Sequence, residues 1–171
     1  MKNIVLTGFM GAGKSSVGWR LAKRLGMKAV DTDDVVEKES KMKIHEIFAR
    51  FGESHFRALE RKAVERVSEL ENHVIITGGG VVLNKDNILD LRRKGVIVYL
   101  HASPEVIYNR IKDDTDRPLL QVKEPLKKIT ELLEYRAQFY KDNDVEIDTT
   151  RLTVEKVASE VVKKVRPLLG V

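Results

Sequence analysis

The sequence predicts an α/β fold of three layers, in which a central parallel sheet of about five strands lies between helices on both faces. Five short apolar runs, several of them ended by Gly or Asp, are typical of strands buried on both faces. Segments with helical spacing separate these runs, and such alternation favours parallel pairing through right-handed crossovers. With 171 residues, 42% of them hydrophobic, we expect one domain over residues 1–171 with a substantial core.

The elements follow one another in a regular order. The predicted strands are Asn3–Thr7, Ala29–Asp31, Val74–Thr77, Val96–Leu100 and Val145–Asp148. The predicted helices are Lys14–Leu25, Glu53–Glu71, Asp86–Arg93, Pro104–Ile111, Leu126–Tyr140 and Thr153–Val165, with another beginning near Val35. Residues 112–124, KDDTDRPLLQVKE, have no clear period and indicate a long loop, of the kind that often forms a lid.

Composition excludes several classes of protein and site. There is no cysteine, which excludes disulfides, thiolate nucleophiles and Cys-based metal sites. The net charge is 31 − 26 = +5, but acidic residues are interspersed among short basic runs, so we expect a solvated surface and no nucleic-acid partner. No apolar stretch reaches the roughly 20 residues of a membrane span, and no secretory signal is visible. We therefore expect a cytoplasmic protein with no membrane segment.

A glycine-rich segment follows the first strand and opens the first helix. Residues 8–15, GFMGAGKS, match the phosphate-binding loop (P-loop) pattern G-x-x-x-x-G-K-[ST] in its required strand–helix context. Glycines let backbone N–H groups surround an anion, and the helix N-terminus adds partial positive charge. We expect Lys14 to neutralise β- and γ-phosphate oxygens and the Ser15 hydroxyl to coordinate Mg²⁺. The sequence thus predicts a three-layer P-loop fold that binds a polyphosphate.

Three carboxylates follow the second predicted strand. Asp31 and Asp33 are two residues apart, which predicts that both project toward the phosphate-binding loop. One of the two can serve Mg²⁺ and the other the phosphate acceptor. Asp34 is assigned to cap the helix near Val35, and an exchange of roles between Asp33 and Asp34 stays open.

Two further motifs are expected at the same sheet edge. GESHFR from Gly52 ends one helix and opens the next, and Arg57 can pair with Glu60 at i, i+3, which fixes a guanidinium for an anionic ligand. On a solvated surface the same pair would have little effect. Gly78, Gly79 and Gly80, called here the three-glycine segment, indicate that a ligand touches the backbone, and the alternative is a tight turn.

In this order, the motifs resemble those of the shikimate kinase family, small P-loop enzymes similar to nucleoside monophosphate kinases. The resemblance covers nearly the whole chain and rests on GFMGAGKSSVG from Gly8, DTD at 31–33, GESHFRALE from Gly52, GGG at 78–80, RPLL from Arg117 and Arg136 in EYRAQFY. It implies Mg²⁺-dependent transfer of the ATP γ-phosphate to the 3-hydroxyl of shikimate, giving shikimate 3-phosphate and ADP in aromatic amino acid biosynthesis.

The resemblance also implies roles for individual residues. The acceptor would be held in a region around residues 33–61 by Asp33, Arg57, Gly79 and Arg136, with Asp33 on hydroxyls and the arginines on the carboxylate. We therefore predict that Gly78 and Gly80 also belong to the acceptor site and that Asp31 serves Mg²⁺. The nucleotide would contact Gly11, Ala12, Gly13, Lys14, Ser15, Ser16, Arg110, Arg117 and, where the match is loose, Arg151. Residues 112–124 would be a lid that brings Arg117 to the phosphates. Arg110 would stack on adenine, or else be a solvated helix end.

Other functions stay open at this point. Another small-metabolite kinase, such as a gluconate or nucleoside monophosphate kinase, would share the architecture. A guanine-specific switch is disfavoured because the string nearest to N-K-x-D, residues 84–87, ends in Asn rather than Asp. A nucleic-acid-binding ATPase is a third candidate. Relatives in the resembled family are commonly monomers, so a monomer that takes ATP and shikimate is expected.

Overall fold

The computed structural model describes residues 1–114 and 122–170, and its centre is a parallel sheet. Within these residues the strands are β1 (Asn3–Thr7), β2 (Lys28–Asp31), β3 (His73–Ile76), β4 (Gly95–His101) and β5 (Val145–Asp148). They are arranged in the order β2-β3-β1-β4-β5, and every neighbouring pair is parallel. The predicted fold class and five strands are confirmed, with strand ends shifted by at most one residue.

Helices connect the strands. They are α1 (Lys14–Leu25), α2 (Thr32–Ser40), α3 (Ile44–Ser68), α4 (Lys85–Lys94), α5 (Pro104–Ile111), α6 (Pro125–Tyr140) and α7 (Val154–Val165), with 3₁₀ turns at Val81–Leu83 and Arg166–Leu168. Helix α3 contains a kink at Gly52, where φ is 80° and ψ is 174°. The predicted break between two helices at this glycine is therefore confirmed. No helix in the described residues is long and apolar enough to cross a membrane.

Apolar side chains on both faces of the sheet form two cores. In β1, Ile4 and Leu6 pack into one core with residues of α1 and α7. Val5, between them in sequence, packs into the other core with residues of α3 and α4. Because successive strand residues face opposite sides, a strand covered on both faces is apolar throughout, which is why β1 could be recognised as one continuous run.

The topology brings four chain segments to one edge of the sheet. Parallel strands all end at the same edge, so the segments that follow β1, β2, β3 and β5 meet there. These segments contain the phosphate-binding loop, the carboxylates of residues 31–33, the three-glycine segment and Thr149. Residues separated by more than one hundred positions in the chain therefore line a common space.

We expect Gly8→Ala to destabilise the protein severely. Gly8 has a φ of 143°, and a Cβ there would overlap the backbone carbonyl oxygen of Leu100, which cannot move without disturbing β4. The free energy of unfolding should fall by about 3 kcal/mol or more. Gly26→Ala is the control, because Gly26 has a φ of 64° but open space around it, and should cost about 1–2 kcal/mol. Denaturant unfolding of both variants measures this, and equal losses would contradict the steric argument.

Candidate active site

The phosphate-binding loop forms the floor of a cavity of about 570 Å³ at the carboxyl edge of the sheet. Residues Met10–Val17 line it, so Gly11, Ala12, Gly13, Ser15 and Ser16 all lie where a nucleotide was expected. Lys14 is only 8% exposed, and its Nζ donates to the carbonyl oxygens of Gly8 at 2.7 Å and Phe9 at 2.9 Å. The loop's own backbone thus positions the ammonium group beside the cavity.

Asp31, rather than Asp34, is the N-cap of helix α2. The helix begins at Thr32, and the Asp31 carboxylate accepts a hydrogen bond from the Asp33 backbone N–H at 2.9 Å. Asp31 has the extended backbone that an N-cap requires, whereas Asp34 is exposed in the first helical turn. The prediction that Asp34 caps a helix near Val35 was therefore wrong. Both Asp31 and Asp33 line the cavity as predicted, but Asp33 reaches it from the helix rather than from the strand end.

Two carboxylate oxygens lie beside Gly78, one from the half-buried Asp33 and one from the buried Glu60. A Cβ at Gly78 would lie 2.8 Å from Asp33 Oδ1 and 2.9 Å from Glu60 Oε1, so a side chain there would displace one or both of these oxygens. Neither oxygen has a hydrogen-bond partner among the described residues. Buried acceptors without partners are costly, which indicates that a ligand carrying hydroxyl or other donor groups completes this site.

Burial perturbs the protonation of these acids. It raises the pKa of Asp33 from 3.8 to about 6, with the negative charge of Glu60 acting in the same direction. Burial, together with the charge of Asp33, also raises the pKa of Asp31 to about 6. The pKa of Glu60 is raised by burial as well, although Arg57 opposes the shift. Acids with raised pKa values that lie close together, two of them on the cavity wall, are typical of a functional site.

Arg57 is held by two acidic side chains of its own helix. Its Nη1 donates to Glu60 at 2.8 Å, and its Nε and Nη2 donate to Glu53 at 3.2 Å and 3.0 Å. The predicted pair with Glu60 is confirmed, and since Glu60 is only 2% exposed the pair does not lie on a solvated surface. The guanidinium covers Gly80, where a Cβ would lie 2.6 Å from Nη1.

Arg136 approaches the three-glycine segment from helix α6. It is 8% exposed, its Nη1 donates to the Gly79 carbonyl oxygen at 3.2 Å, and its guanidinium lies 5.4 Å above the ring of Phe9. Its Nε has no hydrogen-bond partner among the described residues. Two guanidinium groups therefore converge on one short segment, an arrangement suited to a carboxylate ligand.

The three-glycine segment forms a turn and packs closely against the backbone of the phosphate-binding loop. It leads from β3 into the turn Val81–Leu83, and the Val81 N–H donates to the Gly78 carbonyl oxygen at 3.2 Å. A Cβ at Gly79 would lie 3.1 Å from the backbone nitrogen of Met10, which belongs to the phosphate-binding loop. The turn considered from the sequence is therefore confirmed, the space over Gly79 is limited by the phosphate-binding loop, and the contact of a ligand with this backbone stays a prediction.

Arg110 is anchored to the nucleotide side of the cavity. Although exposed, it donates through Nη1 to the Gly11 carbonyl oxygen and to Thr149 Oγ1, both at 3.1 Å, and through Nη2 to the Thr149 carbonyl oxygen at 2.9 Å. The Thr149 hydroxyl in turn donates to the Ala12 carbonyl oxygen at 3.2 Å. Arg110 is therefore not merely a solvated helix end. Sequence reasoning missed Thr149, although its position directly after a strand was a signal.

One predicted nucleotide contact, Arg151, does not line the cavity. Arg151 is exposed, and the wall beside it is formed by Leu152, Thr153 and Val154 instead. Arg117 and the centre of the predicted lid, residues 115–121, lie outside the described residues. At the described end of that loop, Asp114 does line the cavity.

The residues present fit Mg²⁺ that is held mainly by phosphates. Ser15 and Asp31 offer hard oxygen ligands on the cavity wall. No group of three His, Cys, Asp or Glu residues suited to a metal ion occurs in residues 1–114 and 122–170. Mg²⁺ keeps several waters and is commonly bound by one or two protein oxygens plus substrate phosphates, so this small donor set is sufficient.

A phosphate-binding loop beside a three-glycine segment on which acids and arginines converge, on a five-stranded parallel sheet, defines a P-loop kinase of a small anionic molecule. A family model described as shikimate kinase matches residues 10–166. The chain belongs to the shikimate kinase family and is an enzyme of the kinase class. The resemblance predicted from the ordered motifs is thereby confirmed.

Relatives support the same assignment. A shikimate kinase of Caldanaerobacter subterraneus subsp. tengcongensis is 53% identical over 170 residues, which cover 99% of each chain. One of Thermodesulfovibrio yellowstonii is 50% identical over 96% of this chain and 95% of its own. The solved structure of Acinetobacter baumannii shikimate kinase in complex with shikimate has a TM-score of 0.93 at 33% identity, covering 98% of this chain and 94% of that one. A Sinorhizobium meliloti gluconokinase, with a TM-score of 0.64 at 19% identity over 99% of this chain and 94% of its own, shares the fold alone.

Proposed function

We propose that this chain transfers the γ-phosphate of ATP to the 3-hydroxyl of shikimate, giving shikimate 3-phosphate and ADP on the route to aromatic amino acids. One observation supports this most strongly: Arg57, Arg136, Asp33 and Glu60 converge on the three-glycine segment, directly beside the phosphate-binding loop. Shikimate carries one carboxylate and three hydroxyls, which match two guanidinium donors and buried carboxylate acceptors.

The proposed mechanism divides the cavity between two substrates. The phosphate-binding loop and Lys14 bind the ATP phosphates, and Arg110 flanks the base. Ser15 and Asp31 would hold Mg²⁺, which supplies charge neutralisation on the phosphates. Asp33 orients the attacking hydroxyl and accepts its proton as transfer proceeds. Because the transition state of phosphoryl transfer is loose, positioning and charge stabilisation matter more than a strong base.

The proposal also includes the predicted lid and the state in which the protein acts. We propose that Arg117 joins the phosphates when the predicted lid closes, which would exclude water. A monomer that acts in the cytoplasm on ATP and shikimate, without a nucleic-acid partner, stays a prediction.

A coupled assay of ADP release tests the function. With Mg-ATP, shikimate should stimulate release strongly, whereas gluconate and nucleoside monophosphates should not. Chelation of Mg²⁺ should abolish the stimulation. ADP release driven by gluconate or by a nucleoside monophosphate in place of shikimate would refute the assigned acceptor. Retention of the protein on a DNA column that falls steeply as the salt concentration rises would instead favour a nucleic-acid-binding ATPase.

Arg57→Lys should chiefly raise the KM for shikimate. Lysine keeps the positive charge but cannot bridge Glu53 and Glu60 while offering a further donor to the ligand, so we expect a rise of about tenfold with little change in kcat. Arg61→Lys is the matched control, since Arg61 lies on the same helix and pairs with Asp90 and Glu65 instead. Steady-state kinetics that showed a fall in kcat at constant KM would contradict the carboxylate-binding role of Arg57.

A further inference from the structure

We propose that Tyr140 is a positioning residue of the acceptor site, whose hydroxyl fixes the Gly79 carbonyl and so holds the three-glycine segment and Arg136 in their binding geometry. The proposal rests on the proposed function, because its readout is binding of shikimate. Tyr140 does not touch the cavity itself, and its effect is transmitted through the backbone of Gly79.

The geometry places two donors of one helix on a single carbonyl oxygen. Tyr140 Oη donates to the Gly79 oxygen at 2.7 Å, and Arg136 Nη1 donates to the same oxygen at 3.2 Å. The two residues are four positions apart on α6, so they lie on the same helical face, one turn from each other. A carbonyl oxygen has two lone pairs, and here both are used, which fixes the orientation of the peptide after Gly79.

The tyrosine ring is itself rigidly held. Tyr140 is 2% exposed and stacks on Tyr99 of β4, with ring centroids 4.6 Å apart and planes inclined by 7°. Burial raises the pKa of the Tyr140 hydroxyl, so the group remains protonated and a donor throughout the working pH range. A donor on a fixed ring constrains its acceptor more than one on a mobile side chain does.

The three-glycine segment needs such a constraint. Consecutive glycines have the greatest backbone freedom of any residues, and this segment must keep Gly78 beside two carboxylates and Gly80 under Arg57. Of the two bonds to the Gly79 oxygen, the one from Tyr140 is the shorter. Without it, Arg136 would be bonded to a mobile carbonyl, and its guanidinium, whose Nε has no partner among the described residues, would be held less firmly.

Tyr140→Phe and Tyr99→Phe test the proposal as a matched pair, because each removes one hydroxyl from the same ring stack. Among the described residues the Tyr99 hydroxyl makes no hydrogen bond to the three-glycine segment. We expect Tyr140→Phe to raise the KM for shikimate about five- to tenfold, the value of one buried hydrogen bond, while the KM for ATP stays unchanged. Tyr99→Phe should change neither constant.

The outcomes are separable. If Tyr140→Phe lowers only the thermal midpoint and leaves the shikimate KM unchanged, the hydroxyl is structural and the proposal is wrong. An equal rise in both KM values would also overturn it, since that indicates a general loss of structure. In the background of Arg136→Lys, the loss of the Tyr140 hydroxyl should have a smaller effect on the shikimate KM, because the two side chains share one acceptor. A wild-type enzyme without shikimate-dependent ADP release would instead refute the proposed function, and this inference with it.

Discussion

Asp33→Asn is expected to lower kcat by about 10²- to 10⁴-fold, the usual loss when a positioned proton acceptor is removed. Asparagine keeps the size of the side chain and can still contact a hydroxyl, so the KM for shikimate should change far less. Steady-state kinetics with saturating Mg-ATP measures both constants. Undiminished turnover would refute the role assigned to Asp33.

Asp34→Asn is the control for this variant. Asp34 precedes Val35 in the same helical turn but is exposed, whereas Asp33 lines the cavity. We expect its kinetics to be close to wild type. A collapse of kcat in Asp34→Asn with normal turnover in Asp33→Asn would mean that the two aspartates exchange the roles assigned here.

Asp33→Asn should also stabilise the unliganded protein at neutral pH. The pKa of Asp33 is raised to about 6 from 3.8, so between about pH 4 and 6 the folded state binds more protons than the unfolded state. The protonated Asp33 carboxyl group therefore makes its full contribution to the free energy of unfolding below about pH 4, and this contribution is lost as the pH rises through about 6. At pH 7 to 8 we expect the free energy of unfolding of Asp33→Asn to exceed that of wild type by on the order of 1–3 kcal/mol, so that the variant unfolds at a higher temperature. The difference should be smaller at pH 5.

Arg136→Lys should raise the KM for shikimate about 10- to 100-fold without changing the KM for ATP. Lysine retains the charge but loses the planar fork that contacts the Gly79 carbonyl with one nitrogen and presents others to a carboxylate. Arg136 is also buried, so little bulk water is available to solvate a misplaced ammonium.

Arg92→Lys provides a comparison outside the site. Arg92 is likewise bound to more than one partner, Asp142 and Asp144, but it lies on the surface away from the cavity. The same chemical change there should leave both KM values as in wild type. An unchanged shikimate KM in Arg136→Lys would contradict the assignment of Arg136 to the acceptor carboxylate.

Sequence periodicity was sufficient for the centre of the sheet because β1, β3 and β4 are largely buried on both faces, whereas β2 is partly exposed and β5 alternates between buried and exposed residues. A strand such as β1, with Ile4, Val5 and Leu6 all fully buried, is a continuous apolar run between polar turns, which can be recognised without knowledge of its neighbours. Helix α2 was predicted to begin three residues late. Its first turn, Thr32–Asp34, is polar, and its cap depends on the backbone conformation of Asp31 rather than on residue type alone.

The sequence by itself determined the phosphate-binding loop, the order of the strands and helices along the chain, and the family. Each motif and each element consists of residues close together in the chain, whose spacing has a direct physical meaning, and the family follows from the order of the motifs along the chain. Only the tertiary structure showed that oxygens of Glu60 and Asp33 both lie beside Gly78, that Thr149 connects Arg110 to the loop, and that Tyr140 holds Gly79. The last contact joins residues 61 positions apart. Such contacts follow from how helices pack on a sheet, and the burial that raises the carboxyl pKa values arises only once that packing is complete.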